Sequence, residues 1–129
     1  MNIRWDGFAL TLLRVVAGFT YSLHGWQKAF GAFGGFMGHP GHASGIFLVA
    51  GWIELIAGTL ILLGLFTRPA AFLASGEMAV AYFMVHAPRG FWPIKNGGEL
   101  AVVYCFVFLF LVAAGAGEWS LDAMLRRRP

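Results

Sequence analysis

Four stretches of this sequence are each about as long and as apolar as a transmembrane helix. They cover roughly residues 8–30, 46–66, 69–86 and 98–115. An α-helix needs about 20 mostly apolar residues to cross the hydrocarbon core of a bilayer. Open strands would leave backbone groups unpaired there, and the stretches are too long and uninterrupted for barrel strands. The sequence therefore predicts an all-α fold, an integral membrane four-helix bundle.

The composition supports the membrane interpretation. Hydrophobic residues make up 59% of the chain and charged residues 12%, whereas about a quarter of the residues of a soluble domain are charged. The 129 residues allow one domain, residues 1–129, which is too small to bury so much apolar surface in water. The net charge of +3 comes with no basic face carrying interleaved aromatics, so we predict no nucleic-acid partner.

The distribution of basic residues predicts the topology. Four crossings place both termini on one side of the membrane. Five arginines are expected on that side and three basic residues on the other, which makes the termini cytoplasmic by the positive-inside rule. The first group is Arg4, Arg68 and Arg126 to Arg128, and the second is Lys28, Arg89 and Lys95. Residues 118–129 are predicted to form a short interfacial segment, with Ser120 as a helix N-cap.

Three charged residues lie well inside three different stretches. Arg14, Glu54 and Glu77 occupy the first, second and third. A charge near the bilayer centre costs about 2.5–3.5 kcal/mol on insertion scales, so we expect all three to face the bundle interior. At 100° per residue Arg14 and Lys28 share one stripe of the first helix, with His24 at its edge.

These charges permit two interpretations. In the structural one, Arg14 pairs with Glu54 or Glu77 and sets the helix register; for Arg14 alone we favour this interpretation. In the functional one, the carboxylates and His24 line a polar cavity that takes a proton, a quinone head group or another polar ligand. For the set as a whole, intramembrane ionisable residues favour the functional interpretation.

A metal or haem site is the less favoured interpretation of the four histidines. His24, His39, His42 and His86 are expected near the non-cytoplasmic side. His39 and His42 have the spacing of metal ligands, but Pro40 and Gly41 between them prevent a single helical face. Histidines in loops usually have no such role, so we do not favour a metal or haem site, and the four histidines stay weak candidates for one.

Several motifs resemble those of the DoxX family, in the same order and over nearly the whole chain. They are Leu13-Arg14 through His24-Gly25-Trp26-Gln27-Lys28; Glu54 followed by Gly58; Leu63 to Arg68; His86 to Trp92; Asn96 to Leu100; and Gly117 to Leu121. The resemblance implies a four-helix bacterial inner-membrane protein linked to quinone-dependent sulfur oxidation or to other membrane-associated oxidoreductase complexes. The family's motif positions here are Arg14, His24, Lys28, Glu54, Asn96 and Glu99.

The leading functional hypothesis is a redox-associated inner-membrane subunit of a quinone-linked oxidoreductase system. Its ligand site would use the six motif positions together with Glu77, and quinone would be its cofactor. Its partners would be the lipid bilayer, a soluble or membrane redox protein and further copies of the chain. Whether the chain is itself catalytic stays open. The alternatives are a small carrier or proton-coupled transporter, and a structural anchor that recruits a soluble enzyme.

Overall fold

The fold is all-helical, as predicted. A computed structural model describes residues 4–128; Met1 to Ile3 and Pro129, which the predicted domain and C-terminal segment include, lie outside the described residues. The helices are α1 Trp5–Phe30, α2 Ile46–Leu63, α3 Thr67–Ala81, α4 Pro93–Asn96, α5 Glu99–Ala114 and α6 Leu121–Arg126. The chain continues beyond α3 through a π-helical turn, Tyr82–His86, and a 3-10 turn, Ala87–Arg89.

Helices α1 and α2 form an antiparallel hairpin whose interface is built from glycines. A Cβ added at Gly25 would lie 2.6 Å from Leu55 Cα and 2.7 Å from the Gly51 carbonyl oxygen. A Cβ at Gly58 would lie 2.8 Å from the Ser22 backbone nitrogen. Small residues let two helix backbones approach this closely. The face that carries Gly51, Glu54 and Gly58 is therefore the face that packs against α1.

The other long pair is α3 and α5, which pack against each other, while α3 also contacts α2. An aromatic cluster joins this pair to α1. The ring of Tyr21 in α1 meets Tyr104 and Phe108 of α5 edge-on, at centroid distances of 5.6 and 4.8 Å. Elsewhere α1 and α5 touch little, and the space between them remains open as a groove.

The helices begin and end within a few residues of the predicted stretches. The second stretch ends at Leu63 rather than residue 66, because Gly64 adopts the left-handed conformation at φ +69°, which favours glycine. The third begins at Thr67 rather than Pro69. The Asp122 side chain accepts hydrogen bonds from the backbone N–H groups of Phe66 and Thr67 and so caps α3 from a distant part of the sequence.

Contacts across one end of the bundle bring the start of α1 and the end of α5 together. Arg4 Nη1 lies 3.8 Å from Glu118 Oε1, and Arg68 donates to the carbonyl oxygens of Val112 and Ala113 at the end of α5. We call this end, with the chain termini, the terminal end. The opposite end, which carries residues 31–45 and 90–98, is the loop end. Ser120 caps α6 as predicted, by accepting a hydrogen bond from the Ala123 N–H.

Large apolar side chains cover the outside of the helices. Phe72, Phe106 and Ile56 are 69%, 63% and 57% exposed, although such residues are usually buried in soluble proteins. Among residues 4–128, two helical segments, Ile46–Leu63 and Thr67–Arg89, are long and apolar enough to cross a membrane, and Glu99–Ala114 is a shorter apolar helix. The crossing of the bilayer by all four stretches stays a prediction.

Candidate functional site: a buried carboxylate cluster beside an apolar groove

A buried ion pair joins α1 to α2. Lys28 Nζ lies 2.6 Å from Glu54 Oε1, and the two side chains are 12% and 1% exposed. Side chains of a helix lean toward its N-terminus, so Lys28, near the C-terminus of α1, reaches inward to Glu54. The ring of Phe36, from the loop after α1, covers the ammonium group with its centroid 5.2 Å from Nζ. The loop end of the hairpin therefore contains a buried polar pair, and the Phe36 ring covers its ammonium group.

A second carboxylate reaches the same place from α3. Glu77 Oε2 accepts a hydrogen bond of 3.1 Å from the Tyr21 hydroxyl, and the Glu77 and Glu54 carboxyl groups lie within hydrogen-bonding reach of each other. Glu54 is fully buried, and its Oε2 has no hydrogen-bond partner among the described residues. We call Tyr21, Lys28, Glu54 and Glu77 the carboxylate cluster. It holds one cation and two carboxyl groups, of which Glu54 is buried and Glu77 is half-buried.

An open groove of about 660 Å³ lies between α1 and α5, next to this cluster. His24, Gln27 and Thr20 contribute polar groups to its wall from α1. Tyr104 contributes from α5, and its hydroxyl donates to Thr20 Oγ1 at 2.6 Å. His24 is half-buried and packs edge-on against the Tyr104 ring, with centroids 6.3 Å apart. The imidazole therefore lies on the groove wall, close enough to Glu54 and Lys28 for their charges to act on it.

The rest of the groove wall is apolar. Leu13, Val16 and Val107 line the part nearer the terminal end, and Leu100 and Phe33 flank the part nearer the loop end. The groove is open to the outside of the helices. A ligand with a polar ring and an apolar tail matches this distribution, with its ring at His24 and Gln27 and its tail along the apolar part.

Arg14 does not belong to this site, and the predicted ion pair of Arg14 with Glu54 or Glu77 is wrong. The buried guanidinium lies at the terminal end, where it donates to four backbone carbonyl oxygens, those of Ile61, Leu62, Ala116 and Trp119. Carbonyl groups at helix C-termini carry partial negative charge and favour a cation. Arg14 thus ties α1 to the end of α2 and to the turn after α5. These contacts fit the structural interpretation that we favour for Arg14, with backbone atoms rather than carboxylates as its partners.

Asn96 and Glu99 also lie apart from the cluster. The buried Asn96 amide donates to the Tyr82 hydroxyl at 3.2 Å and to the Gly90 carbonyl oxygen at 2.7 Å, and its Oδ1 accepts from the Gly98 N–H at 2.8 Å. Asn96 therefore holds the chain between α3 and α5 in one conformation. Glu99 is exposed in the first turn of α5, where a carboxylate stabilises the helix dipole.

The four histidines do not come together. Within residues 4–128 no three His, Cys, Asp or Glu side chains are grouped so that they could hold a metal ion. His39 forms an isolated bridge with Phe36, and both His39 and His42 are exposed. His86 Nδ1 lies 3.3 Å from the Asn96 carbonyl oxygen.

Three polar residues of the groove wall were not among the predicted site residues. Thr20 and Gln27 lie four residues before and three after His24, so the three form a polar stripe on α1 that helical periodicity alone could have indicated. Tyr104 had no comparable signal, because nothing in the apolar sequence of α5 shows which of its faces meets α1.

Comparison with known proteins identifies the family. The sequence model of the DoxX family matches residues 9–87. The chain belongs to the DoxX family. Its apolar exterior and its two helices of membrane-spanning length are those of a membrane protein of this family.

Three relatives are similar over much of the chain. An uncharacterized protein of Haemophilus influenzae is 45% identical over 124 residues, which are 92% of this chain and 92% of the relative. A second H. influenzae protein is 34% identical over 61% of this chain and 52% of its own length. An uncharacterized membrane protein of Mycobacterium tuberculosis is 32% identical over 60% of this chain and 54% of its own length. No solved structure matches the DoxX chain.

Proposed function

We propose that this DoxX protein is a multi-pass inner-membrane subunit that binds a quinone, or a similar ring with an apolar tail, in the groove between α1 and α5. The observation that carries the proposal is the division of the groove into a polar part, at His24 and Gln27, and an apolar part along Leu13, Val16 and Val107. Small-molecule sites are mostly apolar with a few placed polar groups. The groove is also open on the side where a membrane-soluble ligand would enter.

The neighbouring carboxylate cluster supports a redox ligand in particular. Reduction of a quinone to a quinol takes up two electrons and two protons, so a quinone site benefits from groups that exchange protons. A histidine imidazole can both donate and accept a proton in a hydrogen bond, and His24 lies on the groove wall within reach of the charges of Glu54 and Lys28. In this proposal His24 donates a hydrogen bond to a ring oxygen, and the carboxylate cluster behind it serves as the proton reservoir.

The membrane placement has its own support. A relative with 32% identity is a membrane protein of M. tuberculosis, and the apolar outer surface suits lipid as solvent. In the proposed topology the terminal end is cytoplasmic, with Arg4, Arg68 and the C-terminal arginines. Glu54, Lys28 and His24 then lie toward the opposite leaflet.

Quinone binding can be tested on the purified protein in mild detergent. Mass spectrometry of an organic extract should detect co-purifying quinone, and a short-chain benzoquinone should bind with a measurable Kd. Replacing His24 by Ala removes one hydrogen bond to the ring, worth about 1–1.5 kcal/mol, so Kd should rise by about 5- to 10-fold. Gln27→Leu should have an effect in the same direction.

His39→Ala is the matched control, because His39 is an exposed histidine at the same end of the bundle and outside the groove. It should leave Kd unchanged. The proposal is wrong if no quinone co-purifies and the His24→Ala protein binds the benzoquinone as tightly as the unmodified protein. All three variants should elute from gel filtration like the unmodified protein, which shows that folding is preserved.

A further inference from the structure

We propose that Glu54 and Glu77 hold a single proton between them, so that the carboxylate cluster is a buried proton-binding site. The proposal concerns the carboxyl groups of the chain itself and holds whether or not a quinone occupies the groove. It starts from two observations that are independent of each other: the charges that α1, α2 and α3 bring together, and one oxygen atom that lacks a partner.

The charges in the cluster do not balance when both carboxyl groups are ionised. Lys28 is the cation paired with Glu54, and the Tyr21 hydroxyl that serves Glu77 is neutral. A net negative charge in a buried place is costly, and two carboxylates in contact repel each other. One proton on the pair removes the excess charge, as in other sites where two adjacent carboxyl groups share a proton.

The unpartnered oxygen points to the same proton. Glu54 Oε1 is satisfied by Lys28, but Oε2 is buried and has no hydrogen-bond partner among the described residues. A buried acceptor without a partner is destabilising and uncommon. Glu77 brings a second carboxyl group within hydrogen-bonding reach of the Glu54 carboxyl group. Two carboxylates contain no hydrogen to share, whereas a carboxylic acid and a carboxylate form a strong hydrogen bond. A single proton therefore both gives Glu54 Oε2 a hydrogen bond and removes the excess negative charge of the cluster.

The groups that face the Glu54–Glu77 pair come from two helices. Tyr21, His24 and Lys28 approach from α1 and Tyr104 from α5, while Glu77 itself comes from α3. Of these, only Lys28 carries a fixed positive charge. His24 could carry the neutralising proton instead, which makes a protonated imidazole the main competing arrangement. Loss of the proton from the pair would leave two adjacent carboxylates facing a single ammonium group.

Infrared spectroscopy tests the proposal directly, because the C=O stretch of a protonated carboxyl group is separate from the bands of carboxylates and shifts in D2O. The unmodified protein at pH 7 should show one protonated carboxyl group per chain. Glu77→Gln and Glu54→Gln should each abolish the signal, because either leaves one carboxylate that Lys28 neutralises. The Lys28→Met protein has two carboxyl groups without a cation, so its signal should double.

Glu99→Gln is the matched control, because Glu99 is an exposed carboxylate of the same end of the bundle; the signal should be retained in full. An unmodified protein with no protonated carboxyl signal at pH 7 would overturn the proposal, and the proton would then have to be sought on His24. A signal that survives in Glu77→Gln would overturn it as well. Circular dichroism of each variant reports folding, and since two different substitutions remove the pair, failure of one to fold leaves the other as the test.

Discussion

The glycine contact between α1 and α2 gives the sharpest test of the packing. In Gly25→Ala the new methyl group would lie 2.6 Å from Leu55 Cα, about 0.8 Å short of the 3.4 Å at which ordinary contact begins. It would also lie 2.7 Å from the Gly51 carbonyl oxygen. These neighbours are backbone atoms, so no rotation of a side chain relieves the overlap, and the two helices must separate.

The expected cost follows from overpacking and from helix propensity. Overpacking a tight interface typically costs about 1–3 kcal/mol, whereas alanine in place of glycine favours a helix by up to about 1 kcal/mol. Gly76→Ala isolates the second effect, because a Cβ at the exposed Gly76 would meet nothing within 4 Å. We therefore expect Gly25→Ala to be less stable than Gly76→Ala by about 1–3 kcal/mol.

The free energy of unfolding can be measured by titrating the protein from mild detergent into SDS and following helix content by circular dichroism. Separation of α1 from α2 should also weaken the contact of Lys28 with Glu54. Equal unfolding free energies for Gly25→Ala and Gly76→Ala would refute the close approach of the two backbones. That result would also remove the structural basis of the carboxylate cluster.

Three further substitutions test contacts at the two ends of the bundle. Arg14→Lys should lower the unfolding free energy by about 2–4 kcal/mol in the same assay, because an ammonium group has three donors and cannot replace a guanidinium fork at four carbonyl oxygens. Asn96→Ala removes three hydrogen bonds and should cost about 2–3 kcal/mol; limited proteolysis should then cleave residues 90–98 faster. Asp122→Asn should cost about 0.5–1 kcal/mol at pH 7 through the weakened cap of α3. Burial raises the pKa of Asp122, but hydrogen bonds from Thr67 and Phe66 outweigh this effect and hold the pKa below its ordinary 3.8. The stabilisation by the ionised Asp122 is therefore complete above about pH 4 and is lost as the pH falls through the lower folded pKa. At that low pH the unmodified protein and Asp122→Asn should be equally stable. An unchanged unfolding free energy in any of the three would show that the contact concerned does not stabilise the bundle.

The predicted site residues separated into three places, and the reason is geometric. Helical periodicity put Arg14 and Lys28 on one stripe of α1, and that is where they lie. Periodicity does not show which groups of the neighbouring helices lie opposite each position along this stripe. Lys28 and Arg14 are fourteen positions apart in the sequence, about 21 Å along the helix, so one reaches Glu54 and the other reaches the carbonyl groups at the end of α2.

The sequence by itself determined the helices and the inward-facing residues. Long apolar stretches and the charges inside them can be recognised in single segments. In hydrocarbon or in a protein interior, the backbone of such a segment must form its own hydrogen bonds and its charges must turn inward, wherever the segment packs. Ser120 marked where α6 starts, whereas the left-handed Gly64 that ends α2 was included in the predicted second stretch.

Only the tertiary structure decided which inward-facing groups meet. The contacts of Gly25 with Leu55 and of Gly58 with Ser22 set the axial offset of α1 against α2, and this offset brings Lys28 to Glu54. The loose contact between α1 and α5 leaves the groove at His24, and the placement of α3 delivers Glu77 to Glu54. These contacts depend on how whole helices are positioned relative to one another. That positioning results from many weak packing contacts between residues distant in sequence, so no single segment encodes it.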